Sequence, residues 1–221
     1  MAQLSLSTSI YQLRLVLAGI SPMIWRRLLV SSETTLAQLH YYLQVAFDWS
    51  GEHLHRFRIH GKDYGIAYGG GIRFEDNPHA VPLSRFRFHP RESFHYGYDF
   101  IADWRVNIRL EAILPRDQRA LPVCVGGRAA VPGEEYADPL AYLQQLDRHR
   151  YEFPFKELGK MAEAVGRWLE TGGVHQALGD LEELREALER VSEYQEFQLR
   201  RCDRREMNRR LRALSDQEVT A

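Results

Sequence analysis

The residues most suited to metal or proton chemistry are two histidines that alternate along one segment, His53 and His55. At the rise of a β-strand they stand about 7 Å apart, and neutral imidazole is a common metal ligand. Zinc would need further nitrogen, sulfur or carboxylate ligands, and Asp99, Asp63 and Cys124 are candidates that no spacing singles out. Because no third ligand is signalled, we favour histidines that line a partly buried sheet edge, and we expect neither a metal nor a cofactor.

Two adjacent arginines offer a second kind of chemistry, the binding of anions. Arg26 and Arg27 lie in a strand-like segment and point to opposite faces. One of them would turn inward and pair with Asp99 or Asp103, because an unpaired buried guanidinium is costly. The alternative is a clamp for a carboxylate or a phosphate. We favour the structural role and keep both arginines as candidate ligand contacts.

Several aromatic side chains could form the walls of a groove or the core of the domain. These are Trp25, Trp49, Tyr98 and Trp104. Aromatic residues dominate both cores and recognition surfaces, and the core is the favoured reading here. The candidate ligand-binding residues are Arg26, Arg27, His53, His55, Tyr98, Asp99 and Trp104.

Motifs of common catalysts are missing from the chain. It contains no GxxxxGK[ST] or GxGxxG phosphate loop, no GxSxG and no HExxH. No catalytic residue is therefore predicted.

The C-terminal segment separates its charges, with acidic residues over 180–196 and basic residues over 200–212. In one continuous helix this order complements the helix dipole. Three roles are open: packing on its own domain, antiparallel pairing with a second copy, or contact with nucleic-acid phosphates. The arginines that would make the dimer or nucleic-acid contact are Arg200, Arg201, Arg204, Arg205 and Arg209.

Composition limits the class of protein. The 221 residues carry a formal charge of -1, with 44% hydrophobic and 27% charged residues, which is typical of a globular chain. Two distant cysteines suggest no disulfide framework. We found no signal-like N-terminus and no apolar run long enough to cross a bilayer, so a cytoplasmic protein without membrane contact is expected.

The elements that must position these residues follow from periodicity. Alternation predicts strands, and Thr35 with Gln38 predicts a capping box for a helix that Gly51 ends. The predicted strands cover 11–17, 24–30, 53–59, a short piece near Tyr64, 96–100 and 105–114. We expect a long loop over 65–95, irregular structure over 115–133, and helices from about 138 onward with breaks at Pro154 and Gly172–Gly173.

This order predicts an α+β fold, a mainly antiparallel sheet packed by a helix and followed by a helical region. The predicted domains are 1–150 and a helical C-terminal extension, 151–221.

Short motifs in a fixed order give a resemblance to a known family. They are Pro22–Arg27, the helix Thr35–Phe47 closing on Trp49, His53-Leu54-His55-x-Phe57, Tyr98-Asp99-Phe100 with Asp103-Trp104, Cys124–Arg128 and Pro139–Leu143. Over roughly residues 8–150 the chain resembles the plasmid pRiA4b Orf3-like family. The resemblance implies an α+β fold and a largely uncharacterised protein of plasmids and bacterial chromosomes.

The chain also departs from the pattern of that family. Ile101 and Ala102 stand where members usually carry Gly-Asp, Val106 replaces a His, and Ala130 replaces a Cys. The leading hypothesis is a non-enzymatic binding or adaptor module associated with mobile elements. The alternative is a metal-dependent or hydrolytic enzyme that uses His53, His55 and Asp99.

Overall fold

The computed structural model describes residues 8–65, 74, 76–199 and 201–219, without the side chains of Arg150, 196–199 and 216–219. The chain forms two compact units. The sheet unit is Met1–Tyr142 with Arg201–Ala221, and the helical unit is Leu143–Arg200. The predicted domain boundary at residue 150 stays a prediction. The structure groups residues 201–221 with the sheet, whereas the predicted helical extension included them.

The sheet unit is built on one antiparallel sheet, which confirms the α+β prediction. Among the described residues it has seven strands in the order β4-β3-β5-β6-β1-β2-β7. The strands are β1 Ile10–Leu17, β2 Trp25–Ser31, β3 His55–Ile59, β4 Lys62–Tyr64, β5 Ser93–Tyr98, β6 Trp104–Leu114 and β7 Val123–Arg128. The helices are α1 Leu36–Phe47, α2 Pro139–Tyr151, α3 Phe155–Glu170, α4 Leu181–Leu199 and α5 Arg204–Val219.

Alternation gives the sheet an apolar and a polar face. On β6, Trp104, Val106, Ile108 and Leu110 are fully buried, while the residues between them are exposed. Helix α1 has Leu39, Leu43 and Phe47 buried in the same core. We call the apolar side the inner face and the polar side the outer face.

Both ends of α1 follow from local chemistry, and one differs from the prediction. The predicted capping box is present: the Gln38 amide N–H donates to Thr35 Oγ1 at 3.2 Å, and the Thr35 amide N–H donates to Gln38 Oε1 at 2.8 Å. The helix ends at Phe47 and not at Gly51, because Asp48 itself adopts the left-handed conformation, with φ 52°. Aspartate is among the non-glycine residues that tolerate this region.

Irregular structure was predicted over 115–133, and this prediction was wrong in the middle of the segment, where β7 forms. Each of its paired glycines is a point of close approach within a strand. A Cβ atom at Gly126 would lie 3.2 Å from the Trp25 ring on the outer face, and one at Gly127 would lie 2.7 Å from Cys202 Sγ. The predicted loop over 65–95 contains two short 3-10 turns, Pro78–Ala80 and Leu83–Phe86, and β5 begins at Ser93. Residues 66–73 and 75 of that loop lie outside the described part.

The charge-segregated tail is two helices, which corrects the prediction of one continuous helix. The Asp203 carboxylate accepts from the amides of Arg205 and Glu206 at 2.9 and 3.1 Å and so caps a new helix, α5. Arg204 and Arg205 therefore stand in a first turn, where positive charge opposes the helix dipole. The change from acidic to basic residues along the tail therefore does not complement the dipole of one helix.

Helix α5 runs along the free edge of β7. The Asn208 side chain accepts from the Cys124 amide at 2.7 Å and donates to the Cys124 carbonyl at 3.0 Å, so it replaces a neighbouring strand at that residue. Ser215 Oγ donates to the Leu121 carbonyl, and Met207 and Leu211 are buried. The tail helix is thus a structural part of the sheet unit.

In the helical unit, α3 and α4 pack against each other, and Ala164 and Ala187 are buried. Asp180 caps α4, accepting from the amides of Glu182 and Glu183. None of the helices in the described residues is both long and apolar enough to cross a membrane.

Candidate functional site

Three of the predicted ligand residues form one row across the inner face. His55 on β3 pairs with Tyr98 on β5, and Tyr98 pairs with Trp104 on β6. All three side chains are buried, so the structure places them in the core. Tyr98 keeps a polar contact at its tip, where its hydroxyl donates to Glu134 Oε1 at 2.6 Å and accepts from the Gly51 amide.

The two predicted histidines do not act as a pair. His53 precedes β3, is 43% exposed at its side chain, and has Nδ1 3.7 Å from Asp99 Oδ2. The other oxygen of Asp99 accepts from the amides of Ile101 and Ala102 and shapes the β5–β6 turn. Within the described residues no three His, Cys, Asp or Glu side chains are grouped to hold a metal ion.

His55 instead stacks on a histidine that sequence reasoning did not select. The rings of His40 and His55 are parallel within 10° with centroids 3.6 Å apart. The Tyr96 hydroxyl accepts from Gln44 Nε2 at 2.7 Å and lies 2.7 Å from His40 Nδ1, so one hydroxyl bonds to two residues of α1. This contact fixes the His40 ring in the core. The available signal was its position on α1 between Leu36 and Leu43, on the apolar side.

Burial sets the charge of this stacked pair. It lowers the pKa of His55 to about 4 and, together with the nearby His55, lowers the pKa of His40 to about 3. Both rings are neutral at physiological pH, and neither has the pKa near 7 that suits a general base.

The inward arginine is Arg26, and the carboxylate partners predicted for it were wrong. It is 2% exposed, and within the described part of the chain it bonds only to carbonyls: Nε donates to Ala46 at 3.1 Å, and Nη1 donates to Trp25 at 2.9 Å and Arg128 at 3.0 Å. Asp103 pairs with Arg105 and Asp99 faces His53. Both aspartates belong to the turn that joins β5 and β6. Arg26 lies on β2, and β1 stands between β6 and β2 in the sheet.

The outer face carries an arrangement that strand order creates, a row of three arginines. Arg14 on β1 lies opposite Arg109 on β6 on one side and opposite Arg27 on β2 on the other. Like charges directly opposite one another destabilise a sheet. Arg109 forms no ion pair with any residue that the structure describes. We call Arg109, Arg14 and Arg27 the arginine row.

One carboxylate offsets part of this charge. Glu111 is the extra residue of a bulge in β6, where Leu13 pairs with Leu110 and Gln12 with Ala112. It accepts two bonds from Arg27, at 2.5 and 2.9 Å, and lies 3.9 Å from Arg14. The bond from Arg27 holds the pKa of Glu111 below its usual range, and Glu111 raises the pKa of Arg27. Arg27 is thus a carboxylate clamp, with Glu111 of the same chain as the carboxylate.

Trp25 lies beside the arginine row on the outer face. The Cζ atoms of Arg14 and Arg27 are 5.2 and 5.4 Å from its ring centroid, within the range of cation–π attraction. The ring lies over Gly126 of β7, which has no side chain to displace it. The tryptophan assigned to the core therefore borders the polar face.

A groove of about 460 Å³ opens next to the row, over β5, β6 and β1. Its lining combines cations, neutral donors and a small apolar wall: Arg14, Val16, Met23, Ser93, His95, Asn107 and Arg109. His95 Nδ1 and Asn107 Oδ1 are 2.7 Å apart, so this bond orients both side chains. The lining suits an anion with an apolar part. Alternation placed Arg14 and Arg109 on polar strand faces, but only the strand order makes them neighbours.

The tail arginines that the structure describes lie on α5 or just before it. Arg204 donates to the Val125 carbonyl at 3.2 Å, and Arg209 pairs with Glu206 on its own helix. Arg201 and Arg205 are exposed. Arg200 lies outside the described residues, so its predicted contact has no structural counterpart.

Comparisons with known proteins place the fold among proteins without an assigned activity. A family model described as plasmid pRiA4b ORF-3-like protein matches residues 9–171. The uncharacterized protein y4hQ of Sinorhizobium fredii is 28% identical over 137 residues, 61% of this chain and 70% of that protein. A crystal structure of a protein of unknown function, MM3350 from Methanosarcina mazei Go1, is 31% identical with a TM-score of 0.59, over 65% of this chain and 83% of that one.

Proposed function

The chain belongs to the plasmid pRiA4b ORF-3-like family, and from that premise we propose that it is a non-enzymatic binding protein that holds a nucleic-acid strand against the outer face of its sheet. The observation that carries the proposal is the arginine row. Three guanidinium groups lie at one level of three adjacent strands, and Glu111 pairs with Arg27 and Arg14 but not with Arg109. Such a row lowers stability unless an anion binds it.

The charge of the whole outer face supports a polyanion. The strands place seven arginines on this face against two acidic residues, Asp63 and Glu111. The arginines are Arg14, Arg27, Arg56, Arg58, Arg105, Arg109 and Arg128. Since the net charge of the molecule is -1, attraction to nucleic acid must come from a local patch of this kind.

The shape and chemistry of the groove favour a single strand. On the outer face of the sheet, small residues such as Ser93 and Gly97 lie between the arginines. Trp25 and Met23 offer apolar contact on the same face. Proteins that bind single strands combine a basic surface with side chains on which bases stack. Arginine also recognises phosphate through two parallel bonds.

Binding of a short fluorescent single-stranded oligonucleotide, measured by polarisation over a salt series, tests the proposal. We expect the double variant Arg14→Gln/Arg109→Gln to bind at least about tenfold more weakly, and its log affinity to fall less steeply with log salt, by about 1.4, because two phosphate contacts are lost.

Arg185→Gln is the matched control, since it removes an exposed arginine of α4 that already pairs with Glu182 and does not belong to the outer face of the sheet. We expect it to change affinity less than about twofold. Affinity of the natural protein that does not depend on salt, or a double variant that binds as well as the control, would refute the proposal. Both variants should unfold no earlier than the natural protein, because the double variant relieves repulsion.

The enzymatic alternative has weaker support. His55 is buried and neutral, and His53 with Asp99 has no third acidic, histidine or cysteine partner among the described residues that would hold a metal. Elemental analysis of purified protein that found stoichiometric zinc, manganese or iron would revive it.

Pairing of two copies, association with mobile elements and a cytoplasmic location stay predictions. For pairing, α5 is engaged with its own sheet, so support now comes from α4, where Leu181 and Leu188 are each about half exposed.

A further inference from the structure

Arg26 carries a buried positive charge that no carboxylate of the described residues offsets. Three carbonyls satisfy Nε and Nη1, but carbonyl groups carry no net charge. A buried ion without a counterion is strongly unfavourable, and here burial lowers the pKa of the guanidinium. The groups that face Arg26 therefore matter, and they are the two cysteines of the chain.

Cys202 reaches the guanidinium side chain through the gap at Gly127. A Cβ atom at Gly127 would lie 2.7 Å from Cys202 Sγ and 3.0 Å from Arg26 Cδ, so both atoms converge on one point of the inner face. Gly127 is the residue opposite Arg26 in the sheet. Cys202 precedes α5 and is partly exposed.

Cys124 completes the cluster from the same strand, β7. It is buried, and its thiol donates to the Gly126 carbonyl at 3.3 Å. Cys124 Sγ thus lies against the peptide that joins Gly126 to Gly127, and Cys202 Sγ lies beside Gly127 itself. Burial raises the pKa of Cys124, and charge on either cysteine favours the protonated form of Arg26. Two thiols thus flank one unpaired guanidinium.

We propose that Cys202 and Cys124 are a peroxide-reactive thiol pair, assembled at Arg26, that closes to an intramolecular disulfide. This inference is independent of nucleic-acid binding, because the pair lies on the inner face and the arginine row on the outer face.

The oxidant is hydrogen peroxide, and the chemistry has two steps. The thiolate of Cys202, the more accessible sulfur, attacks one peroxide oxygen: the S–O bond forms, the O–O bond breaks, and the departing hydroxide takes a proton to become water. The sulfur loses two electrons and becomes a sulfenic acid. Cys124 then attacks that sulfur, the S–S bond forms, and the leaving hydroxyl takes the proton of the Cys124 thiol and departs as a second water. Arg26 offsets the negative charge on either sulfur.

Intact-mass measurement after treatment with a small excess of hydrogen peroxide tests the pair. The natural protein should lose about 2 Da, as a disulfide requires, and remain a single chain on a non-reducing gel. Cys124→Ser should instead keep a sulfenic acid at Cys202 that dimedone traps, and Cys202→Ser should show neither product. No loss of mass, or a disulfide only between two copies, would overturn the proposal.

Two glycine variants, which keep both cysteines, test the proposal even if the cysteine variants do not fold. In Gly127→Ala the new methyl group occupies the space of Cys202 Sγ, so disulfide formation should slow at least tenfold. Gly126→Ala is the matched control, because its methyl group points to the outer face towards Trp25. Equal rates of disulfide formation in the two variants would show that the approach at Gly127 does not bring the sulfurs together.

Discussion

Acidification from pH 7.5 to about 4.5 is expected to lower the free energy of unfolding of the sheet unit by roughly 5 kcal/mol through the stacked histidines alone. Burial lowers the pKa of His55 from 6.5 to about 4 and, with a smaller contribution from charge on His55, that of His40 to about 3. The unfolded chain therefore binds more protons than the folded one below pH 6.5. Stability is complete above that value and falls as the pH drops towards 4, by about 2–3 kcal/mol per ring at pH 4.5.

Urea unfolding at several pH values between 7.5 and 4.5 measures this loss. His55→Phe removes one titrating ring and keeps an aromatic partner for His40, so we expect it to reduce the pH dependence by about half. His89→Gln, at an exposed turn, is the control variant for the loss of a histidine and is measured over the same pH series. A His55→Phe variant as sensitive to acid as the natural protein would show that the stacked pair is not the source.

Truncation of Leu211 on α5 is expected to destabilise the sheet unit by about 2–5 kcal/mol. Its side chain is fully buried, and α5 packs on both β7 and α1. A helix that served only to pair two copies would leave the stability of the monomer unchanged. Unfolding followed by tryptophan fluorescence suits this test, because Trp25, Trp49 and Trp104 all belong to the sheet unit.

Arg212→Ala is the control for that variant, as the neighbouring exposed position on the same helix. It should change the free energy of unfolding by less than about 0.5 kcal/mol. If Leu211→Ala and Arg212→Ala had equal, small effects at a protein concentration where the chain is monomeric, α5 would not be part of the folded core.

Local patterns predicted most of the elements because the signal for each lies within a few residues. Alternation in β1, β2, β3 and β6 reflects a sheet with one buried face, and the capping box of α1 needs only Thr35 and Gln38. The family resemblance was confirmed, and with it the α+β fold.

What local patterns could not provide was adjacency. Arg14 and Arg109 are far apart in sequence, and nothing near either residue states that β1 lies between β6 and β2. The same limit concealed His40 as the partner of His55, and the carbonyls that bind Arg26 in place of a carboxylate. Strand β7 was missed for a related reason, since the atoms that lie against its glycines come from β2 and from the segment before α5.

Because α5 lies along the edge of β7, the order of translation affects how the chain folds. Asn208 closes the edge of a strand that is translated before it, with the residues of α2, α3 and α4 in between. At about 5–20 residues per second the nascent chain carries an uncovered strand edge for several seconds. During that interval the unpaired backbone of β7 is open to neighbouring chains, and the protein depends on a late helix to become resistant to aggregation.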